Sequence, residues 1–380
     1  MVELTGSWLD LCLLLHNIDD ISETEFLDAL SNMELSSAFK SGIRKAFRGN
    51  TGDLLSSLFS APPTQEDPVV LLAPVNIRGK KHFAWMIGHI PSSLVDLRKR
   101  FTEAREYVRV DPLLINHADP PFVLFVEPVA VSRVQMIASG DSELSADDFA
   151  IFRAGRTTDD EEDVDQQLLL DLNIIRQNLQ EAYKTGRSVF GDSFRDVESC
   201  LREDVDLLGM IHGEAHNRGH FAGPWPFTRN KSSLMHEAVE EFRACLCAIQ
   251  WGEHLGLTSV QKDALAVSIF LTRFLHYGLR AYKREIKTRQ SIREISVGLM
   301  FFETLRHDGV IRDGSGSVLS LNIGALRPSL KAMLTRLHGE EKKVRLLGSE
   351  ALRGVFRSLY HLAYPSGKLS FVANRIYERR

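Results

Sequence analysis

The chain has 380 residues, 44% of them hydrophobic and 25% charged, and a formal net charge of -4 at pH 7. That length accommodates two or three domains or one large two-lobed unit, and the composition is ordinary for a soluble globular protein. The mild acidity provides no global basic field, so nucleic acid is not an expected partner.

Residues 1–60 read as short helices. Thr5 can cap an apolar stretch at 8–15, Ser22 with Glu25 forms a capping box ahead of Phe26, and 37–47 repeats apolar residues at helical spacing. The break Ala61-Pro62-Pro63-Thr64 ends that pattern. Short runs rich in β-forming residues follow at 69–73, 82–87, 122–126 and 134–137, with a helical stretch at 92–107 between the second and third. A small sheet with a crossing helix is expected there. Residues 138–166 form an acidic junction, densest at Asp159-Asp160-Glu161-Glu162-Asp163-Val164-Asp165, which reads as a solvated loop. From 167 onward the 3.6-residue period dominates, with helices expected at 167–185, 191–219, 232–255, 259–286, 290–307 and 325–362. The expected organisation is a helical and small-sheet region at 1–137, an acidic linker at 138–166 and a helical lobe at 167–380.

Several classes are set aside by what the chain lacks. Cys12, Cys200, Cys245 and Cys247 are too few and scattered for a disulfide framework, and the last two face different directions on one helix. Reduced, partly buried thiols are expected. No basic, apolar-cored targeting segment is evident, and the most hydrophobic stretch, 264–275, is interrupted by Thr272 and Arg273, short of a membrane span. A cytoplasmic protein without a membrane partner is expected. No phosphate-binding Gly-x-x-x-x-Gly-Lys, strand-linked Gly-x-Gly-x-x-Gly or Gly-x-Ser-x-Gly elbow is present.

What the chain does carry is His212, His216 and His220, four residues apart, followed by a helical pattern with Glu237, Glu240 and Glu241. Imidazoles at i and i+4 stack on one helical face and can grip one metal ion, with a carboxylate from a second helix as the next ligand. Gly219, Gly223 and Pro224 stop the first helix one turn after His216, which places the pair beside a cleft. Only one of the adjacent Glu240 and Glu241 can face the histidines. Glu241 is read as the ligand and Glu240 as the carboxylate accepting a ligand imidazole's free N–H, and the spacing also allows the exchanged roles. The aromatic, Pro-rich loop containing His220 and Trp225 is a candidate cleft wall. His276, Tyr277 and Arg280 lie on a helix expected to pack nearby, Tyr277 as an oxyanion donor and Arg280 as a clamp for a substrate carboxylate.

The order His212-x-x-x-His216, then Glu240-Glu241-Phe242-Arg243-Ala244, resembles the dipeptidyl-peptidase-III family of zinc peptidases, which pairs a helical histidine motif with a downstream Glu-Glu-Cys-Arg-Ala helix. The likeness covers roughly 200–310, including 271–280 and 289–305. It implies zinc held by His212, His216 and Glu241 and a peptide or small-molecule substrate. The chain departs from the family where a glutamate after the first histidine deprotonates the metal-bound water: that position is Gly213, and Glu214 stands about 100° further round the helix. Three outcomes are open. A distortion at Gly213 lets Glu214 or Glu240 act as base; or the site performs other chemistry, with two histidines and a carboxylate suiting Fe2+ as well as Zn2+; or the chain is a non-catalytic helical binding protein. The overall expectation is an α+β fold, predominantly helical, with a small sheet in the N-terminal half, a helical metal-binding C-terminal lobe, and a zinc hydrolase activity related to metallopeptidases.

Overall fold

The structure, a computed structural model, describes residues 21–34, 69–77, 80–89, 93–115, 125–138, 150–154, 164–195, 234–283, 289–314 and 319–347, six positions between 211 and 219, and isolated positions from 10 to 44. Most of the helices expected at 8–15 and 191–219, and the end of the one at 325–362, lie outside the described residues. So do Glu214, His220 and Trp225. The fold class is as expected, predominantly helical α+β. Among the described residues, no helix is long and apolar enough to cross a membrane.

By its packing the chain divides into two compact units, Met1–Asp96 with Pro128–Asp160 and Gln166–Ile174, and Leu97–Glu127 with Glu161–Asp165 and Ile175–Arg380. The first carries helix α1 (Glu23–Asn32) and most of a five-stranded sheet. Helix α1 starts as its sequence dictates: Ser22 Oγ accepts from the Glu25 N–H at 3.3 Å, and Glu25 Oε2 accepts from the Ser22 N–H at 2.9 Å. The reciprocal bonds satisfy two amides that no helical carbonyl can reach, and Phe26 and Leu30 bury the helix's apolar face.

Strands β1 (Val69–Ile77) and β2 (Lys80–His89) pair antiparallel, in register from Val69 opposite Gly88 to Ile77 opposite Lys80. After helix α2 (Ser93–Val108) come β3 (Phe125–Ala138), β4 (Ala150–Ala154) and β5 (Val164–Asp171), giving the order β1-β2-β3-β5-β4. Three expectations are corrected here. The run at 134–137 and the described end of the run at 122–126 belong to one strand of 14 residues, because Pro128 does not interrupt an otherwise β-forming stretch. The acidic junction contains β4, and its acidic crest runs into β5. The leucines at 168–170, expected to begin a helix, are strand: an apolar run has no period of its own, and pairing of Leu169 with Ile151 decides its form.

The second unit is built on helix α4 (Leu234–Gly252), with α3 (Leu172–Phe190) preceding it. From Ala238 to Trp251 the residues of α4 are buried on every side of the helix, the signature of a central element. Helices α5 (Ser259–Leu271), α7 (Arg289–His307) and α8 (Ile323–Leu347) pack around it. Aromatic rings tie the bundle, with Phe242 edge-on to Phe301 at 4.8 Å between centroids and Phe274 stacked on Phe302 at 5.0 Å. Gln250 and His254, at the C-terminal end of α4, each donate to Asp111 Oδ2 at 2.7 Å. Burial opposes ionisation of Asp111, but the bonds from His254, Gln250 and the Leu113 N–H outweigh it and hold its carboxyl below the usual range.

The helix expected over 259–286 is not uniformly α. After α5 the chain runs through a π-helical segment, Thr272–Leu279, before regaining α geometry in α6 (Arg280–Lys283). π segments are short and rare and recur at functional sites. Here the segment meets α7 backbone to backbone. A Cβ on Gly298 would lie 3.0 Å from the Arg273 carbonyl oxygen and 3.4 Å from Gly278 Cα. Only glycine allows that approach, and it brings α7 against the segment that carries Arg273, His276 and Tyr277. A short hairpin, β6 (Ile311–Arg312) with β7 (Ser320–Leu321), joins α7 to α8.

Candidate metal centre

His212 and His216 sit on a short segment pinned by its own apolar residues: Ile211 and Ala215, each one residue before a histidine and so about 100° round the helix from it, are fully buried. Gly219 ends it with φ of 72°, where a Cβ would collide with the Leu113 carbonyl at 2.9 Å. Its N–H donates to the Leu114 carbonyl at 3.2 Å, tying the segment to the loop after α2.

Opposite, Glu240 and Glu241 project from α4. The ligand-type atoms of His212, His216 and Glu241 all lie within 4.8 Å of one another. His212 Nε2 is 2.9 Å from Glu241 Oε1 and 3.2 Å from His216 Nε2, and His216 Nε2 is 3.7 Å from Glu241 Oε2. Donors about 2.1 Å from a tetrahedral metal stand about 3.4 Å apart, so these separations fit one ion. Glu240 has a different setting. Arg243, one turn along α4, holds both its oxygens, Nη2 on Oε1 at 2.5 Å and Nε on Oε2 at 2.8 Å, while Oε1 lies 3.6 Å from His216 Nδ1. A carboxylate so fixed beside the far nitrogen of an imidazole sets the ring's orientation. Arg243 also donates to the main-chain carbonyls of His216 and Arg218, so one guanidinium locks the histidine segment to α4.

The element that sequence reasoning missed is Arg273. Its Nη2 lies 2.6 Å from Glu241 Oε1 and 2.7 Å from His212 Nε2, and its Nη1 lies 3.4 Å from Glu294 Oε2 on α7. A guanidinium only donates, so the contact with His212 requires a lone pair on Nε2 and the ring proton on Nδ1. Nδ1 faces Cys245 Sγ at 3.9 Å. Burial, aided by Arg273, lowers the His212 pKa to about 4, which keeps the ring neutral at physiological pH. For Glu241, burial works the other way, but the Arg273 guanidinium overcomes it and holds the carboxyl well below the ordinary range. Neutral imidazole with Nε2 free and ionised carboxylate are the forms in which these side chains bind metals. Burial pushes the thiols of Cys245 and Cys247 up to about 12, so both stay protonated.

The other anticipated residues fall around this core. Tyr277 lies under Arg273, the guanidinium carbon 5.1 Å from the ring centroid, and its hydroxyl accepts from Asn178 Nδ2 at 3.3 Å. His276 is buried edge-on to Tyr277 with Nδ1 at 3.3 Å from Glu181 Oε2, and Arg280 is exposed just past the π segment. The sign of Arg273 was present in the sequence, as a charge breaking the apolar stretch 264–275. A charge inside a buried helix requires a charged partner.

The sequence matches no protein-family model and no curated protein. Among solved structures, the chain is similar to DPP III from Caldithrix abyssi, with a TM-score of 0.59 and 13% identity, covering 94% of this chain and 68% of that one. It is also similar to dipeptidyl-peptidase III from Corallococcus sp. strain EGB, with a TM-score of 0.56 and 11% identity, covering 93% of this chain and 65% of that one. At these identities the likeness is one of fold. The chain is dipeptidyl-peptidase-III-like in architecture and spans about two thirds of the length of either structure.

Proposed function

We propose that this chain is a divalent-metal-dependent hydrolase of the metallopeptidase type, with His212, His216 and Glu241 as ligands to zinc and a peptide as substrate. The observation that carries this reading is the convergence of two imidazoles and a carboxylate from separate segments at separations that suit one ion, in a dipeptidyl-peptidase-III-like fold. When bound, the metal would polarise a substrate carbonyl and lower the pKa of a coordinated water. The chain's own residues do the rest. Glu240, clamped by Arg243, orients His216. Glu214, the carboxylate closest in sequence to the vacated base position, is the proton acceptor in this reading. Tyr277, whose ring lies under Arg273, is the proposed donor to charge developing on a substrate oxygen. His276, His220, Trp225 and Arg280 are proposed to contact substrate.

Elemental analysis of the purified protein, wild type against His216→Ala and Glu241→Ala, tests the reading. Near-stoichiometric zinc that disappears in both variants is expected, and a peptide library would then define cleavage. Iron in place of zinc would move the assignment to oxygen-dependent chemistry on the same ligands. Metal content equal in wild type and variants, or none after reconstitution, would overturn it.

A further inference from the structure

The triad already holds a cation. Arg273 Nη2 is within 2.7 Å of both His212 Nε2 and Glu241 Oε1, the two atoms that also stand closest to each other in the proposed ligand set. Two acceptors 2.9 Å apart, one a carboxylate oxygen and one an imidazole lone pair, repel unless something positive lies between them. In this structure the guanidinium does so. A metal ion would need the same two lone pairs, and one lone pair cannot serve both.

We propose that Arg273 is an internal competitor for the metal: its guanidinium neutralises the triad when no ion is bound, and binding of a divalent cation requires it to leave Glu241 and His212. The inference rests on the metal-centre reading above. The structure supplies the place it would go. Arg273 Nη1 already lies 3.4 Å from Glu294 Oε2, and Glu294 is on α7, where it is also paired with Arg293 at 2.7 Å. Arg273 therefore lies between two carboxylates, only one of which is a ligand candidate. Moving from Glu241 to Glu294 needs rotation of the side chain alone, because Gly278 and Gly298 fix the π segment against α7. The chemical class is a divalent transition metal that favours nitrogen and oxygen donors, zinc first.

The test is metal affinity measured directly. Apo-protein is titrated with zinc against a chelating indicator, and with cobalt, whose visible absorption reports donor geometry, for wild type, Arg273→Met and Arg273→Lys. Arg273→Met is expected to bind zinc at least about tenfold tighter than wild type, since nothing must be displaced. Its apo form should melt at a lower temperature, because the triad has lost its cation. Arg273→Lys, which keeps the charge but cannot fork between two acceptors, should fall between them and guards against misfolding of the methionine variant. Binding by Arg273→Met alone, with none by wild type, would support the inference in its strongest form. Equal or weaker affinity in both variants than in wild type would overturn it and leave the metal centre intact. Failure of all three proteins to bind either metal would overturn the metal-centre reading and this inference together.

Discussion

Replacing Arg243 with methionine isolates what holds the histidine segment to the central helix. Arg243 is 2% exposed, and its Nε and Nη2 pair with both oxygens of Glu240, at 2.8 and 2.5 Å. Nη2 also reaches the His216 carbonyl at 3.3 Å, Nη1 reaches that of Arg218, and Nε lies 3.7 Å from Glu341 Oε1. Methionine keeps much of the stem volume and removes every one of these bonds. Removing one partner of a buried ion pair costs about 3–5 kcal/mol, because the other charge is left without compensation. With two buried carbonyls also left unpaired, about 4 kcal/mol is expected. For a unit of roughly 240 residues this lowers the melting temperature by about 8–16 °C. Urea unfolding at neutral pH, followed by tryptophan fluorescence with the fully buried Trp251 as a reporter, measures it. The double variant Arg243→Met/Glu240→Gln should recover more than about 1 kcal/mol, since no unpaired carboxylate remains. A loss below about 1 kcal/mol in the single variant, or no recovery in the double, would refute the claim that this guanidinium fastens the site.

Two other perturbations follow from the same packing. Burial, reinforced by Glu240 and only partly opposed by Arg243, raises the carboxyl of Glu341 to about 8. A folded-state value above the unfolded one of about 4.5 means stability is fully present below pH 4.5 and lost as pH rises towards 8, by on the order of 4 kcal/mol. Glu341→Gln should match wild type near pH 4.5 and be increasingly more stable than it up to pH 8, read from urea midpoints; parallel curves would contradict the assignment. Gly298→Ala places a methyl 3.0 Å from the Arg273 carbonyl and 3.3 Å from Phe274 Cα, so overpacking of about 1–3 kcal/mol should exceed the gain of about 0.5–1 kcal/mol from helix propensity. Gly339→Ala on α8, where nothing lies within 4 Å, should instead stabilise by about that propensity gain, and calorimetry of the two variants should show shifts of opposite sign.

Which parts of this were legible in the sequence follows from the range of the interactions. The spacing of His212 and His216 is a local property of a helix, and so is the adjacency of Glu240 and Glu241, although both carboxylates reach His216, Glu240 at Nδ1 and Glu241 at Nε2. Both were readable, as was the Ser22 capping box, which closes within four residues. The cation in the triad was not, because Arg273 meets Glu241 across 32 positions of chain and nothing in the period of 259–286 announces a π segment. The leucines at 168–170 failed for a related reason. A stretch without polar residues carries no phase, and only its pairing with β4 fixes its form. Arg243 was quoted as part of a motif, yet its hold on the His216 and Arg218 carbonyls depends on a loop arriving from elsewhere.

The contact of Gly278 with Gly298 gives the site a fulcrum. Side-chain interfaces absorb small displacements by changing rotamers, but two backbones in van der Waals contact have no rotamers to change. The close approach fixes the main chain of the π segment against that of α7, and so the backbone positions of Arg273 and Glu294 relative to each other. A slide of α4 against that frame would alter the reach of the Arg273 side chain to Glu241, while its reach to Glu294 is set by the frame itself. The position of the central helix is thus written into a single difference between two lengths.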